Sequence, residues 1–232
     1  MKRPSCILAI DTSSPRGSAV LAAGGRPLEL LAGGERETYS SRLFRWLEEL
    51  ARRLKDGFAS LDGIAVAAGP GSFTGLRIGV AAAKGISLAV ACPLIPFSTL
   101  EAAALAAGEG PALRRPILAA GRGEVYTAAY RVGRGGLEAV AEEQVVAPAA
   151  LELDAADEPI FLFGSGLPLC RQRLRGLAPP GSVFDDAQPA LAEAMAEEGM
   201  RRLRRGEGVG PAELRMNYIR LSDAELKARK RR

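Results

Sequence analysis

Apolar residues in this chain come in short runs separated by glycine, proline and polar clusters. Cys6–Ile10 (CILAI) is apolar throughout and ends in Asp11-Thr12-Ser13-Ser14, the pattern of a buried strand running into a polar loop. Ser18–Ala22 and Leu28–Ala32 read as two further strands around a Gly24-Gly25 turn. The period then changes. Between Ser40 and Lys55, Leu43, Trp46, Leu47, Leu50 and Leu54 form one helical stripe, and Arg42, Arg45, Glu49, Arg52 and Arg53 lie mostly off it. Strand Gly63–Ala68, helix Ser72–Ala91, strand Leu94–Phe97 and a helix from Ser98 to Ala107 follow. Ser98-x-x-Glu101 has the spacing of a capping box.

The resulting order, three strands and then alternating helices and strands, predicts a mixed sheet with helices packed on it, as in the ribonuclease-H-like fold. Gly108–Pro116 reads as a linker. Beyond it the pattern partly returns. Strands are expected at Ile117–Ala120, Glu124–Arg131, near Leu137–Ala141, at Ile160–Phe163 and at Ser182–Phe184. Helices are expected near Pro148–Leu153, near Pro168–Gly176 and from Pro189 to Arg205, where Leu191, Met195, Gly199 and Leu203 share a side. The second half therefore reads as a smaller, degenerate copy of the first. The expected division is 1–108, 109–210 and a C-terminal segment, 211–232. The expected class is α/β, with two ribonuclease-H-like lobes as in the actin/sugar-kinase/Hsp70 superfamily.

One stretch breaks the ordinary rules of helix composition. Ala68–Gly85 reads AGPGSFTGLRIGVAAAKG: a glycine–proline loop, an N-cap at Ser72, then a helix with Gly75, Gly79 and Ala83 every fourth residue. Glycine costs about 1 kcal/mol per helical position relative to alanine, so a row of them implies that something must come very close along that face. Three occupants fit the spacing. The row packs on the chain's own sheet, or receives a helix of another subunit, or the loop cradles a phosphate at the helix N-terminus. The GK[ST] ending of a P-loop is absent.

Composition narrows the chemistry. There is no histidine among the 232 residues, which removes the commonest general base and the commonest zinc ligand. Cys6, Cys92 and Cys170 are far apart and form no CxxC pair, so they read as buried thiols, with no metal site. Residues 223–232 (DAELKARKRR) carry five Lys/Arg and two Asp/Glu; they supply +3 of the net +4 and leave a near-neutral body. Such a tail is either solvated or a weak contact for nucleic acid. No uncharged apolar run spans a bilayer; the nearest, Gly85–Leu100, is interrupted by Pro93 and Pro96. No signal peptide is legible, so a cytoplasmic location without membrane contact is expected.

Few side chains suggest catalysis. Asp11 ends the first strand beside Thr12, Ser13 and Ser18; it either caps a turn or lies near a bound nucleotide. Glu124 and Tyr126 alternate on one strand face. Ser72 and Ser165 each follow a glycine, yet neither has a histidine to activate it, and no SxxK occurs.

Three blocks, ILAIDTSS (Ile7–Ser14), AAGPGSFTGLRIGVAAAKGISLA (Ala67–Ala89) and GEVYTAAY (Gly123–Tyr130), together resemble the bacterial TsaB (YeaZ) family. Asn217-Tyr218-Ile219-Arg220 with Ser222–Glu225 is similar to its closing segment. The resemblance implies the two-lobed fold. It also implies a non-catalytic subunit that works with TsaD and the ATPase TsaE to place a threonylcarbamoyl group on N6 of adenosine 37, in tRNAs reading ANN codons. The transfer is TsaD's, through a metal held by histidines. This chain would have no cofactor of its own, with ATP or ADP at most at the interface with TsaD, and would meet tRNA only through the complex. The resemblance favours the partner-helix reading of the glycine row, with a homodimer when alone. The expected interface is then Leu43, Trp46, Leu47, Leu50, Ser72, Phe73, Thr74, Gly75, Leu76, Arg77, Gly79, Val80 and Ala83. An ATP-binding phosphotransferase or ATPase of the same superfamily is the alternative. The chain departs from the family at Ala119-Ala120-Gly121-Arg122, where Asp-Ala-Arg-Arg is usual, at Tyr39-Ser40 for His-Ser, and at Met216 for proline.

Overall fold

The computed structural model describes residues 5–33, 37–153 and 158–219. The basic tail, most of the closing segment and the first four residues lie outside them. Two sheets organise the chain. The first contains β1 (Cys6–Asp11), β2 (Ser18–Ala23), β3 (Arg26–Ala32), β4 (Gly63–Ala67) and β5 (Leu94–Phe97), in the order β3-β2-β1-β4-β5. β1, β2 and β3 pair antiparallel, and β4 and β5 add parallel to β1. The second contains β6 (Leu113–Gly121), β7 (Glu124–Gly133), β8 (Gly136–Val146), β9 (Ile160–Phe163) and β10 (Val183–Asp185), in the order β10-β9-β6-β7-β8. Read from the other edge this is the same arrangement: a three-stranded meander with two parallel strands added to its first strand. Each is the mixed sheet of a ribonuclease-H-like lobe. The copy is degenerate between β8 and β9, where the described residues hold only a single turn of 3-10 helix, Pro148–Ala150.

Helices α1 (Tyr39–Arg52) and α2 (Phe73–Val90) close the first core on one side of their sheet. There Leu8, Ile10, Leu21, Leu43, Trp46, Leu50, Val66, Val80 and Ala83 form one buried cluster. Trp46 is core filler, as a large ring on an apolar stripe should be. α3 is Thr99–Ala106, and Ser98 caps it, accepting from the amides of Leu100 and Glu101. α4 (Leu167–Leu177) buries Leu167, Cys170 and Leu174 against the second sheet's core.

Two expectations require correction. The stretch Gly108–Pro116 is not all linker: β6 begins at Leu113, and Leu113–Pro116 pair in parallel with Ile160–Phe163. Arginines and a proline hid the strand. Arg114 spends its guanidinium on the carbonyls of Ala104, Ala107 and Gly108, closing the C-terminal end of α3. The expected division at 108 and 210 also fails. The chain separates into one unit of residues up to Ala102 together with Ala190–Asn217, and another of Ala103–Pro189. The reason is α5 (Leu191–Arg204), which packs across the open face of the first sheet. Gly199 sits against Ile7 and Ala65 there, and the amide of Ala192 donates to Ser18 Oγ at 3.1 Å.

Candidate functional site

The loop after β1 and the head of α2 are built as one piece. Asp11 Oδ1 accepts from the Ser13 amide at 2.8 Å and from Ser13 Oγ at 2.6 Å, an Asx turn that fixes Thr12 and Ser13. Ser13's carbonyl then accepts from the Ser72 amide at 2.7 Å, and Thr12 Oγ1 donates to the Gly75 carbonyl at 2.7 Å. Ser72 caps the helix, accepting from the Gly75 amide. A Cβ on Gly75 would stand under 3.0 Å from Thr12's carbonyl and Tyr39's ring, and one on Gly79 under 3.0 Å from Thr12 Oγ1. The glycine row therefore exists to let α2 lie on its own β1 loop.

Asp11 is buried, and so is the guanidinium-bearing Arg42 of α1, which lies over the rings of Tyr39 and Trp46 at 5.5 and 5.3 Å. Burial pushes the Asp11 carboxyl up; the two Ser13 hydrogen bonds and the charge of Arg42 oppose the rise without cancelling it. The sequence placed Arg42 off the buried stripe, because charge reads as solvent-facing. Its signal was its spacing, three after Tyr39 and four before Trp46. Of the candidates beside Asp11, Thr12, Ser13 and Ser18 are all buried and each is engaged in the fold. This carboxylate caps a turn.

The expected interface also changes. Leu43, Trp46, Leu47, Leu50, Gly75, Leu76, Gly79, Val80 and Ala83 are buried within their own unit and have no surface to offer. Ser72 and Phe73 are half-buried, and Thr74 and Arg77 remain exposed, with Arg77 stacked on Phe73 at 3.7 Å. The accessible face of α2 is the opposite one: Thr74, Arg77, Ala81, Gly85 and Leu88, at spacings of three and four. Leu88 is 72% exposed, and Phe44 on α1 is 64% exposed. Only 33% of this apolar 18-residue helix is buried. Phe44 was detectable in sequence as a large apolar residue off the stripe of its helix.

In the second unit, Glu124 and Tyr126 lie on β7, with Tyr126 buried. Ser165 Oγ accepts from the Ala119 amide at 3.1 Å, so this serine braces the end of β6 next to Ala120 and Gly121. Cys6, Cys92 and Cys170 are all buried, and none is in a disulfide. Among the described residues, no three His, Cys, Asp or Glu side chains gather closely enough to hold a metal ion.

The family model described as TsaD, tRNA N6-adenosine threonylcarbamoyltransferase, matches residues 35–161. The tRNA threonylcarbamoyladenosine biosynthesis protein TsaB of Bacillus subtilis is 31% identical over 226 residues, 95% of this chain and 96% of that protein. Its namesake in Escherichia coli is 32% identical over 148 residues, 60% of this chain and 64% of the other. The solved structure of YeaZ from Pseudomonas aeruginosa superposes with a TM-score of 0.78 at 27% identity, covering 92% of this chain and 99% of that one. With sheet order, the β1 loop and the α2 head in place, and a relative matched along nearly its whole length, the chain belongs to the TsaB (YeaZ) family.

Proposed function

We propose that this protein acts in tRNA threonylcarbamoyladenosine biosynthesis as a non-catalytic subunit, supporting TsaD in modifying N6 of adenosine 37 in tRNAs that read ANN codons. The observation that carries the reading is the exposed face of α2. An apolar helix with Ala81, Gly85 and Leu88 turned to solvent, on the same side of the sheet as exposed Phe44, is what a partner's helix packs against. Two features support a non-catalytic role. The chain has no histidine for a metal site or a general base, and Asp11 is committed to its turn. In this proposal TsaD binds the α2 face, the same face forms a homodimer when TsaD is absent, TsaE joins through the assembly, and tRNA is met only through it. Any ATP or ADP belongs at the interface with TsaD, and the whole operates in the cytoplasm.

The test is mass spectrometry of nucleosides from bulk tRNA after depletion of the protein in its own cell. Threonylcarbamoyladenosine should fall, and the wild type should restore it. Leu88→Asp, which alters only an exposed side chain, should not. An unchanged modification level on depletion would sink the proposal. Calorimetry with ATP and magnesium on the isolated chain separates it from the ATPase alternative, which requires turnover.

A further inference from the structure

The chain continues beyond α5. After Gly206, with φ of +76°, it returns across the first unit. Residues 208–217 touch that unit at three places. Leu94 and Val209 exchange both backbone hydrogen bonds, at 2.9 and 2.8 Å, covering part of the otherwise open edge of β5. Leu214 is buried in the core beneath α2, with Val209 and Met216 against the same cluster, and Lys84 Nζ of α2 donates to its carbonyl at 3.1 Å. The Asn217 amide donates to the Ala68 carbonyl at 2.7 Å. Asn217's own carbonyl fills the space that a Cβ on Gly69 would need, and Gly69 has φ of +117°.

The loop at the head of α2 is thus gripped from three directions. Ser13 holds the Ser72 amide, the Thr99 amide holds the Gly69 carbonyl at 2.8 Å, and Asn217 holds Ala68. The first two grips come from the loop after β1 and from the head of α3. The third comes from a strap about ten residues long with one deeply buried side chain. A short strap outside the sheet and helices can open locally at a lower free energy than a core strand.

We propose that residues 208–217 are a conformational latch. Docked, they hold the Gly69–Ser72 loop and the head of α2; released, they free that loop and the β5 edge together. The consequence for function rests on the α2 docking face proposed above. Latch closure and partner binding stabilise the same helix, so each favours the other.

The test is hydrogen exchange read by mass spectrometry on the full-length chain. Asn217→Pro removes the amide donated to Ala68, and Lys84→Met removes the donor to Leu214 while keeping its apolar stem. Both should quicken exchange about tenfold or more at residues 72–76 and at Leu94, with β1 and β2 unchanged. If Asn217→Pro loses protection throughout the first sheet it has failed to fold, and Lys84→Met carries the test. Unaltered exchange at those amides in the folded variants overturns the latch. Binding to purified TsaD by light scattering is measured alongside, with Leu88→Asp as control. Weaker binding by the latch variants supports the link; faster exchange with binding unchanged keeps the latch and removes the link. Full binding by Leu88→Asp defeats the docking face alone.

Discussion

Alanine at two glycines of α2 should move stability in opposite directions. Gly79 and Gly85 lie six residues apart on one helix and differ only in what faces them. At Gly85 nothing lies within 4 Å of an added Cβ, so Gly85→Ala should gain about 1 kcal/mol from helix propensity. At Gly79 the same methyl would stand under 3.0 Å from Thr12 Oγ1, with Thr12 Cβ and Cγ2 at 3.3 and 3.4 Å. Thr12 is 2% exposed, and its hydroxyl is bonded to the Gly75 carbonyl. Overpacking costs about 1–3 kcal/mol. Losing the hydroxyl bond costs about 1 kcal/mol more, and propensity returns about 1. Gly79→Ala should therefore destabilise by about 1–3 kcal/mol. The assay is urea unfolding followed by Trp46, the single tryptophan, which is buried in the first core. Thr12→Ala should rescue Gly79→Ala by at least about 1 kcal/mol in a double-mutant cycle. It should not rescue Gly75→Ala, whose obstacle is the Thr12 backbone carbonyl. Equal shifts for Gly79→Ala and Gly85→Ala, or no coupling to Thr12, would refute the own-core account of the glycine row.

The remaining predictions concern the surface, the charge network and the end of α3. Leu88→Asp and Phe44→Asp should weaken association by about tenfold or more, read by light scattering, with the melting temperature within about a degree of wild type; association unchanged in both variants would remove the α2 face as a docking surface. Burial pushes the Glu198 carboxyl up, but hydrogen bonds from Arg201 and Arg205 and the charge of Arg202 outweigh it and hold it below the ordinary 4.5. Its stabilisation is then present above pH 4.5 and lost as pH falls through the lower folded value. Glu198→Gln should accordingly melt below wild type near neutrality, with the gap closing in acid; a gap constant with pH would refute the assignment. Arg114→Met should cost about 1–3 kcal/mol in the second unit, because three carbonyls lose their donor; a variant as stable as wild type by calorimetry would show that water replaces the guanidinium.

Most of the architecture was legible because strands and helices announce themselves by period. Cys6–Ile10 and Ile160–Phe163 were each read to within a residue of their observed ends, and the first helix, expected from Ser40 to Lys55, to within three. What failed were statements about which element meets which. The buried side of α5 was visible as Leu191, Met195 and Gly199, but a stripe does not say whose sheet it covers, and α5 covers the first. The glycine row showed that something comes close to α2; its spacing carried no information that the neighbour is Thr12, far back in the chain.

The expected interface fell largely on buried residues for the same reason. The residues that helical periodicity marks most strongly, Leu43, Leu47, Leu50, Val80 and Ala83, are those an amphipathic helix commits to its own sheet. A strong pattern therefore argues against availability to a partner. A docking surface lies among the apolar residues that the pattern leaves over. Phe44 is adjacent to the α1 stripe but outside it, and Leu88 lies on a helix with more apolar residues than its own core can bury. On α2, subtracting the buried face leaves Ala81, Gly85 and Leu88 in line. If α2 docks a partner as proposed, this leftover row, not the more conspicuous glycine row behind it, is where a substitution would break association without unfolding the lobe.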